Sequence, residues 1–539
     1  MIGDLLRIQD RDGWLGEQPL RDLAAERGVP LHVLQGLASF YTYFRRQPPR
    51  AVEIEVCRDL ACQLAGGPEA CTRLRSALKG RDDVAIHEVS CLGRCDRAPA
   101  GVITGAGSGA GIRAGAVIET SQTEAVLSAV EQGATAPAHS PGNWQAADPY
   151  SNPEMAPYAT LRCALQGDPG DLPAVLEAAG LRGMGGAAFP TGRKWSLVAG
   201  APAGPRHVIA NADESEPGAF KDREILRDLP HLLIEGMALA GYAIGAKRGI
   251  IFIRHEYEAE RQAVETALDH ARTTGALGQA IFDTPFDFEI DLFVSPGGYI
   301  LGEETALLEC LEDRRGEPRN KPPFPGVSGL FGQPTLINNV ETFAHATGIL
   351  HHGADWWHGL GRPGFSGHKF MSVSGDVDRS GVHLVPFGTP LGELLDRCGG
   401  MRAGQELLAV APGGASSRFL GADALETPID FQTFSDAGSM LGAGAVVFVS
   451  DQQNLLEVGL SVTRFFRNES CGKCVPCRIG TEKAVRWIES TGAVGPEERE
   501  RLAELHSTLA RTSICGLGQI ALEPLLSLAE RFPERMRGD

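Results

Sequence analysis

Eight of the twelve cysteines of this 539-residue chain fall into two tight groups, and no other feature constrains its folding as strongly. Cys57, Cys62, Cys91 and Cys95 form the first; Cys471, Cys474, Cys477 and Cys515 form the second. Clustered thiols in a reducing compartment are read as metal ligands before disulfides. The fold must therefore gather segments far apart in sequence around two metal centres. Cys71, Cys163, Cys310 and Cys398 stand alone and are expected to pack as small buried hydrophobes.

The second group is a C-x₂-C-x₂-C run with a distant fourth cysteine. Three closely spaced thiolates on a turn meet three corners of an iron–sulfur cubane, and a remote one closes the fourth. Gly472 and Pro476 permit tight wrapping, and Lys473, Arg478 and the start of the following helix favour negative charge. A Cys₄ zinc site pairs two C-x₂-C hooks instead of using a triplet. The spacing points to a [4Fe–4S] cluster. The first group is C-x₄-C followed by C-x₃-C, each pair at the end of a strand, which fits two ligands per iron of a [2Fe–2S] centre. Structural zinc uses overlapping spacings and stays open here. A thioredoxin-type dithiol requires C-x-x-C, which neither pair supplies.

The chain is too long for one compact core, and its 43% hydrophobic and 22% charged residues are ordinary globular composition. A net charge of -18 argues against nucleic-acid binding, which rests on clustered Lys and Arg. The most apolar stretch, 232–246, is short for a bilayer and carries Glu235. The start, Met1-Ile2-Gly3-Asp4, lacks a secretory-signal pattern. A cytoplasmic protein without direct membrane insertion is expected.

Helical spacing of Leu20, Leu23 and Ala24, then of Leu31, Leu34, Leu37 and Ala38, predicts a helical bundle over 1–46. Residues 51–56 alternate like a half-buried strand that delivers Cys57. A helix near 67–79 and a strand near 84–89 lead to Cys91, and this α/β pattern runs to about 131. The Gly-rich stretch 101–111 is expected to be a hairpin loop. Residues 132–157, rich in Ala, Pro, Gly and Ser, have linker composition. From 158 to about 360 helices alternate with apolar strands (207–210, 249–254 and the alternating Phe288, Ile290, Leu292, Val294), an α/β layer pattern. Residues 361–450 hold short strands and Gly/Pro turns, a small α+β module. Residues 451–539 return to helices.

Three segments of the α/β region carry nucleotide-like chemistry. In 181–195, Gly183, Gly185 and Gly186 let backbone N–H groups approach a phosphate, and Lys194 adds charge. Gly183 to Ala188 formally matches G-x-G-x-x-A, but a helix-like segment precedes it where the dinucleotide fingerprint requires a strand. Residues 211–218 and 297–305 each follow a candidate strand, a position where α/β folds bind ligands. Their Asn, Asp and Glu side chains can bond ribityl and ribose hydroxyls. Helix caps and turns would account for each segment singly; together they favour a bound nucleotide.

Residues 158–539 resemble, almost end to end, the family of FMN- and NADH-binding flavoprotein subunits of respiratory complex I. That family also serves NAD-reducing hydrogenases and NAD-dependent molybdenum or tungsten formate dehydrogenases. The motifs are 183–195, 211–221, 299–304, Lys321-Pro-Pro-Phe324-Pro, Asn338-Asn339-Val-Glu341-Thr342 and 469–477. Residues 1–131, with Phe40-Tyr41-Thr42 and four cysteines, resemble the family's thioredoxin-like [2Fe–2S] partner subunit, so the chain looks like a fusion of two subunits.

The resemblance implies a multidomain α/β and α+β protein: a helical bundle (1–46), a thioredoxin-like [2Fe–2S] domain (47–131), a linker (132–157), a Rossmann-like FMN/NAD(H) domain (158–360), a ubiquitin-like β-grasp domain (361–450) and a helical [4Fe–4S] domain (451–539). It implies FMN contacts from Gly183, Gly185, Lys194, Asn211, Asp213, Glu303, Asn338 and Asn339. NAD(H) contacts would come from Phe189, Glu216, Tyr299, Glu304, Lys321 and Phe324, with Glu216 and Glu304 near the nicotinamide. Hydride transfer would occur at FMN, with no catalytic side chain. Met184 and Ala188 stand where complex I members commonly have Arg and Gly, and Leu197 where an aromatic often holds the adenine.

The single-chain fusion, Pro412-Gly-Gly-Ala-Ser416 and Ser513-Ile-Cys515-Gly-Leu-Gly518-Gln519 look most like β subunits of NAD-dependent formate dehydrogenases. The implied partner is a large molybdenum- or tungsten-pterin subunit with further iron–sulfur clusters, in a hetero-oligomer. Flavoprotein subunits of hydrogenases or complex I, and a non-catalytic zinc scaffold, are the alternatives.

Overall fold

The computed structural model describes residues 1–105, 116–132, 139–151, 155–202 and 204–537. Helices Ile2–Asp12, Glu17–Arg27 and Leu31–Phe40 open the chain, the first two stopped by left-handed Gly13 and Gly28. Leu20, Leu23, Ala24, Leu34, Leu37 and Ala38 are buried, whereas Leu31 is half-buried. These helices share a core with helix Glu304–Leu311 and the C-terminal helices. The Met1 amine and the Ile2 N–H both donate to Asp313, at 2.8 and 2.7 Å.

The next layer is the sheet of β1 (Val52–Cys57), β2 (Val84–Val89), β3 (Ala100–Thr104) and β4 (Ala116–Glu119), in order β2-β1-β3-β4 with β1 and β2 parallel. β1 is not half-buried as its alternation predicts. Val52, Ile54 and Val56 pack under helices Gly67–Ala77 and Thr123–Gln132. On the other face Glu53 is also buried, accepting from the Arg50 N–H and meeting His87 Nε2, each at 2.5 Å. Paired carboxylates survive inside, so polarity alone misplaced that face. β3 and β4 pair antiparallel, and residues 106–111 of the Gly-rich stretch lie outside the described ones.

The described part of 132–157 is fastened to its neighbour. Asp228 accepts from Trp144 Nε1 (2.7 Å) and the Gly142 N–H (3.0 Å) and meets His139 Nε2 (2.5 Å). Glu235 accepts from the Tyr150 hydroxyl (2.5 Å) and the Leu161 N–H (2.8 Å). Of the solitary cysteines, Cys71, Cys310 and Cys398 are buried, but Cys163 is exposed, which corrects the expectation for that residue. It sits on the outer side of the short helix Ala159–Ala164, whose inward residues are Thr160 and Leu161.

β5 (His207–Ala212), β6 (Arg248–Arg254), β7 (Glu289–Ser295) and β8 (Thr335–Asn339) form an all-parallel sheet in order β7-β6-β5-β8. Parallel pairing requires crossovers, here helices such as Pro230–Ile244 and Glu258–Thr273. β5 lies between β6 and β8, so the topology switches direction there. All four strands deliver their following loops to one edge, the usual ligand edge of such sheets. The third sheet orders β9 (His368–Gly375), β10 (Gly381–Pro386), β11 (Leu407–Ala411), β12 (Leu420–Gly421) and β13 (Ala445–Ser450) as β10-β9-β13-β11-β12, with β13 parallel to β9. A hairpin, a helix (Leu391–Arg397) and a central closing strand make a β-grasp topology. Helices Leu455–Asn468, Val475–Thr491, Pro496–Thr512 and Glu523–Arg531 complete the chain. Among the described residues, no helix is long and apolar enough to cross a membrane.

Glu235 makes this packing pH-dependent. Burial pushes its carboxyl up to about 7, above the ordinary carboxylate range. The folded state therefore binds a proton more tightly than the unfolded chain. Its contribution to stability is fullest at acid pH and is lost as pH rises from about 4.5 through 7. Glu235→Gln keeps an acceptor without the charge. It is expected to be more stable than the parent at pH 8 by about 1–3 kcal/mol, with equal stabilities near pH 4.5. Denaturant midpoints at the two pH values check this; a variant no more stable at pH 8 contradicts it.

Candidate functional site

The second cysteine group is built by three turns. Cys474 caps helix Val475–Thr491, Cys477 lies in its first turn, Cys471 precedes both, and Cys515 starts the turn Gly516–Ile520. With Ile300, Pro318 and Leu517 they line a small pocket. A side chain at Gly518 would place its Cβ 2.9 Å from the Cys477 Cβ, so only glycine lets the fourth ligand's segment close in. Lys473 Nζ donates to the Pro318 carbonyl (2.6 Å) and Arg478 to the Gly472 carbonyl (2.8 Å), cations that also stitch the rim. Burial pushes the Cys477 thiol up to about 12 and Cys515 up to about 11, so ionisation there needs a metal.

All four cysteines of the first group are buried. Cys57 ends β1, Cys62 lies on helix Leu60–Leu64, and Cys91 and Cys95 hold their sulfurs 3.6 Å apart. The Ala100 N–H donates to Cys62 Sγ (3.3 Å) and the Gly93 N–H to Cys91 Sγ (3.5 Å), bonds that suit anionic sulfur. This chamber seats directly on the parallel-sheet domain. Arg254 donates to the Cys91 carbonyl (2.6 Å), Arg223 forks onto Asp96 (2.9 and 3.0 Å) and Arg94 onto Glu260 (3.0 and 3.1 Å).

At the carboxyl edge of the parallel sheet the glycine turn is held from several sides. The Gly183 N–H donates to the Phe189 carbonyl (2.9 Å), the Met184 N–H to Thr342 Oγ1 (2.9 Å), and Lys369 Nζ to the Met184 carbonyl (3.2 Å). A Cβ on Gly185 would lie 2.9 Å from that of Asn339, so the turn packs backbone to side chain. Ala188 has φ 52, left-handed backbone that glycine adopts without strain.

The remaining expected FMN residues gather beside this turn. Lys194 Nζ donates to the Ile337 carbonyl (3.0 Å), its pKa lowered by burial. Asn211 Nδ2 donates to the Gly302 carbonyl (2.9 Å). Asp213 accepts from Ser295 (2.8 Å) and Ser215, and burial pushes it up to about 6. Glu303 caps helix Glu304–Leu311 through the Thr305 and Ala306 N–H groups. Asn339 is spent on structure, donating to Asp222 (2.6 Å) and accepting from the Glu341 N–H (3.0 Å). Asn338 is different: its buried Oδ1 has no partner among the described residues. Buried polar atoms are rarely left so, and a ligand's donor would satisfy it.

The expected NAD(H) residues divide into exposed rings and hydrogen-bonded polar groups. Phe189 is 40% exposed and Phe324 58%, open apolar faces suited to stacking; Leu197, also 58% exposed, offers no ring. Lys321 pairs with Glu303 (2.8 Å) and Glu304 (3.4 Å). Glu216 accepts from the Tyr299 hydroxyl (2.6 Å), the Ser416 N–H (2.6 Å) and Ser416 Oγ (2.7 Å), and burial pushes its carboxyl up to about 7. Sequence reasoning named no role for Ser416, Thr342, Lys369 or Ser295. Ser416 had a signal, the Pro412-Gly-Gly-Ala turn; the others had none beyond their motifs.

A glycine turn at the carboxyl edge of a parallel sheet, together with two cysteine chambers in one chain, fits an electron-transfer flavoprotein class. Family descriptions match accordingly: Thioredoxin-like [2Fe-2S] ferredoxin over residues 1–112, Nuo51 FMN-binding domain over 176–347, and NADH-ubiquinone oxidoreductase-F iron-sulfur binding region over 457–538. The F subunit of NADH-quinone oxidoreductase in Mycobacterium tuberculosis is 40% identical over 399 residues, 73% of this chain and 89% of the relative. The NADP-reducing hydrogenase subunit HndC of Solidesulfovibrio fructosivorans is 39% identical over 378 residues, 70% of this chain and 77% of that protein. A solved NAD⁺-reducing [NiFe]-hydrogenase chain in the H₂-reduced state matches 99% of this chain and 92% of its own length, at a TM-score of 0.86 and 30% identity.

The chain belongs to the complex I 51 kDa-type family of NADH-binding FMN flavoproteins, here fused to a thioredoxin-like [2Fe–2S] domain. Its cofactors are FMN, NAD(H), one [4Fe–4S] cluster and one [2Fe–2S] cluster.

Proposed function

We propose that this chain is the NADH:acceptor module of a hetero-oligomeric NAD-dependent formate dehydrogenase, exchanging a hydride with NAD(H) and single electrons with its clusters. Bound FMN supplies the conversion between paired and single electrons, chemistry no side chain here provides. The protein's part is placement. Gly183, Gly185, Lys194, Asn211, Asp213, Glu303 and Asn338 would hold FMN, with Asn339 bracing the turn. Phe189, Glu216, Tyr299, Glu304, Lys321 and Phe324 would seat NAD(H). The unpartnered Asn338 Oδ1 beside a glycine turn too tight for a side chain is the observation that carries this reading.

Formate as the ultimate donor (formate + NAD⁺ → CO₂ + NADH) is supported by the likeness of 412–416 and 513–519 to formate dehydrogenase β subunits, and by the fusion. The partner would then be a large molybdenum- or tungsten-pterin subunit, and the [2Fe–2S] centre a side store or second exit for electrons. A second reading, the flavoprotein of an NAD-reducing hydrogenase, is favoured by the 99% coverage of this chain in the match to that enzyme.

FMN-replete, anaerobically prepared chain is expected to reduce ferricyanide with NADH; no activity, or zinc at the cysteines, overturns the flavoprotein reading. A pterin-bearing partner co-purified from the native source supports formate, and a nickel–iron partner reassigns the chain to hydrogenase.

A further inference from the structure

Glu469 stands just before the [4Fe–4S] hairpin, at the end of helix Leu455–Asn468, and is buried. Its two carboxylate oxygens are used in two directions. One accepts from the Ser90 hydroxyl, in the residue next to Cys91 of the other cysteine chamber. The other accepts from the Tyr299 backbone N–H at 2.8 Å. Tyr299 is itself held at its far end, where its hydroxyl donates to Glu216 (2.6 Å), and its ring packs edge-on against Phe465. The chain then runs from Glu469 into Ser470, whose hydroxyl lies 3.2 Å from Cys477 Sγ. One side chain thus touches the flank of both cysteine chambers and the turn that carries the NAD(H)-facing tyrosine.

We propose that Glu469 is a positioning residue that holds the Tyr299 turn, expected to face NAD(H), and the [2Fe–2S] chamber in fixed register with the [4Fe–4S] hairpin. The role assigned to Tyr299 rests on the function proposed above; the contact to the [2Fe–2S] chamber does not. A single carboxylate suits the task because both groups that meet it are donors. An alanine leaves the Tyr299 N–H and the Ser90 hydroxyl without acceptors, in a place water enters poorly. Glutamine keeps both contacts, because its amide oxygen can face the N–H while its NH₂ donates to the serine oxygen. The geometry therefore separates this role from one of charge.

The test uses the full chain loaded with FMN and both clusters, in four forms: parent, Glu469→Ala, Glu469→Gln and Ser90→Ala. Two readouts are taken: the KM for NADH in ferricyanide reduction, and the EPR spectrum of the [2Fe–2S] centre after dithionite reduction. Glu469→Ala is expected to raise KM about tenfold, the loss of one hydrogen bond to a charged acceptor, and to alter the [2Fe–2S] spectrum. Glu469→Gln is expected to restore both. Ser90→Ala is expected to alter the [2Fe–2S] spectrum and leave KM unchanged. Unchanged KM and unchanged spectrum in Glu469→Ala overturn the proposal, as does a glutamine variant that behaves like alanine. If Glu469→Ala does not load its clusters, Ser90→Ala decides: an unaltered [2Fe–2S] spectrum rejects the link. Parent protein with both clusters but no NADH activity would instead reject the function proposed for the cleft, and the dithionite spectra would still judge Glu469.

Discussion

Replacing Glu341 by alanine is expected to destabilise the protein by about 3–5 kcal/mol, more than any surface change would. Glu341 is 0% exposed, and one of its oxygens holds two ammonium groups, Lys221 and Lys369, each at 2.9 Å. Its other oxygen accepts from the Phe370 N–H (2.9 Å) and meets His345 Nε2 (3.3 Å). The two lysines hold the carboxyl well below its ordinary range despite burial.

The lysines fare unequally. Lys221 has Asp222 as a second partner at 2.7 Å and is pushed above its usual value, whereas burial holds Lys369 down to about 8. Removing Glu341 strands Lys369 without any carboxylate partner, and a stranded buried charge is the costly outcome. The damage should reach the flavin turn, because Lys369 comes from β9 of the β-grasp module and bonds the Met184 carbonyl. Denaturant midpoints and FMN retention on gel filtration measure both effects. A Glu341→Ala protein within 1 kcal/mol of the parent, still yellow, would contradict the argument.

Cys477→Ala is expected to remove the [4Fe–4S] cluster alone, lowering bound iron by about two-thirds. Cys477 is the buried member of its group, flanked by Ser470 and the close-packed Gly518, and alanine there removes one of the four thiolates. NADH should still bleach the flavin in this variant, and the [2Fe–2S] signal should persist, because its four ligands lie in another chamber. Transfer to a partner that receives electrons through the cubane should fall by at least ~100-fold. Iron analysis, EPR and stopped-flow bleaching separate these outcomes. Full iron content in Cys477→Ala would remove this cysteine from the ligand set.

The same residues show how far the chain could be read before it was folded. The cysteine spacings were legible because ligands three residues apart report a local turn, and local geometry is written in consecutive residues. β5 and β6 were legible for a similar reason, since doubly covered strands are short apolar runs between turn residues, and β7 by its alternation, whereas the short, Asn-ended β8 was not read as a strand. β1 was misjudged because the carboxylate of Glu53 is buried against His87, a partner thirty-four residues away. Cys163 was misjudged because a lone cysteine carries no periodicity to say which way it points.

Residue types and spacing by themselves marked two thiol groups as metal sites, pointed the second to a [4Fe–4S] cluster while leaving the first open to zinc, and marked a glycine turn fit for a nucleotide. Tertiary structure alone decided which residues serve that turn. Lys369, Thr342, Ser416 and Glu469 reach the candidate site residues or their flanks from segments up to hundreds of residues apart, through hydrogen bonds and ion pairs. The physical reason is range. Backbone preference and hydrophobic period act over a few residues, whereas a buried donor is satisfied by whichever acceptor the packed chain brings within 3 Å.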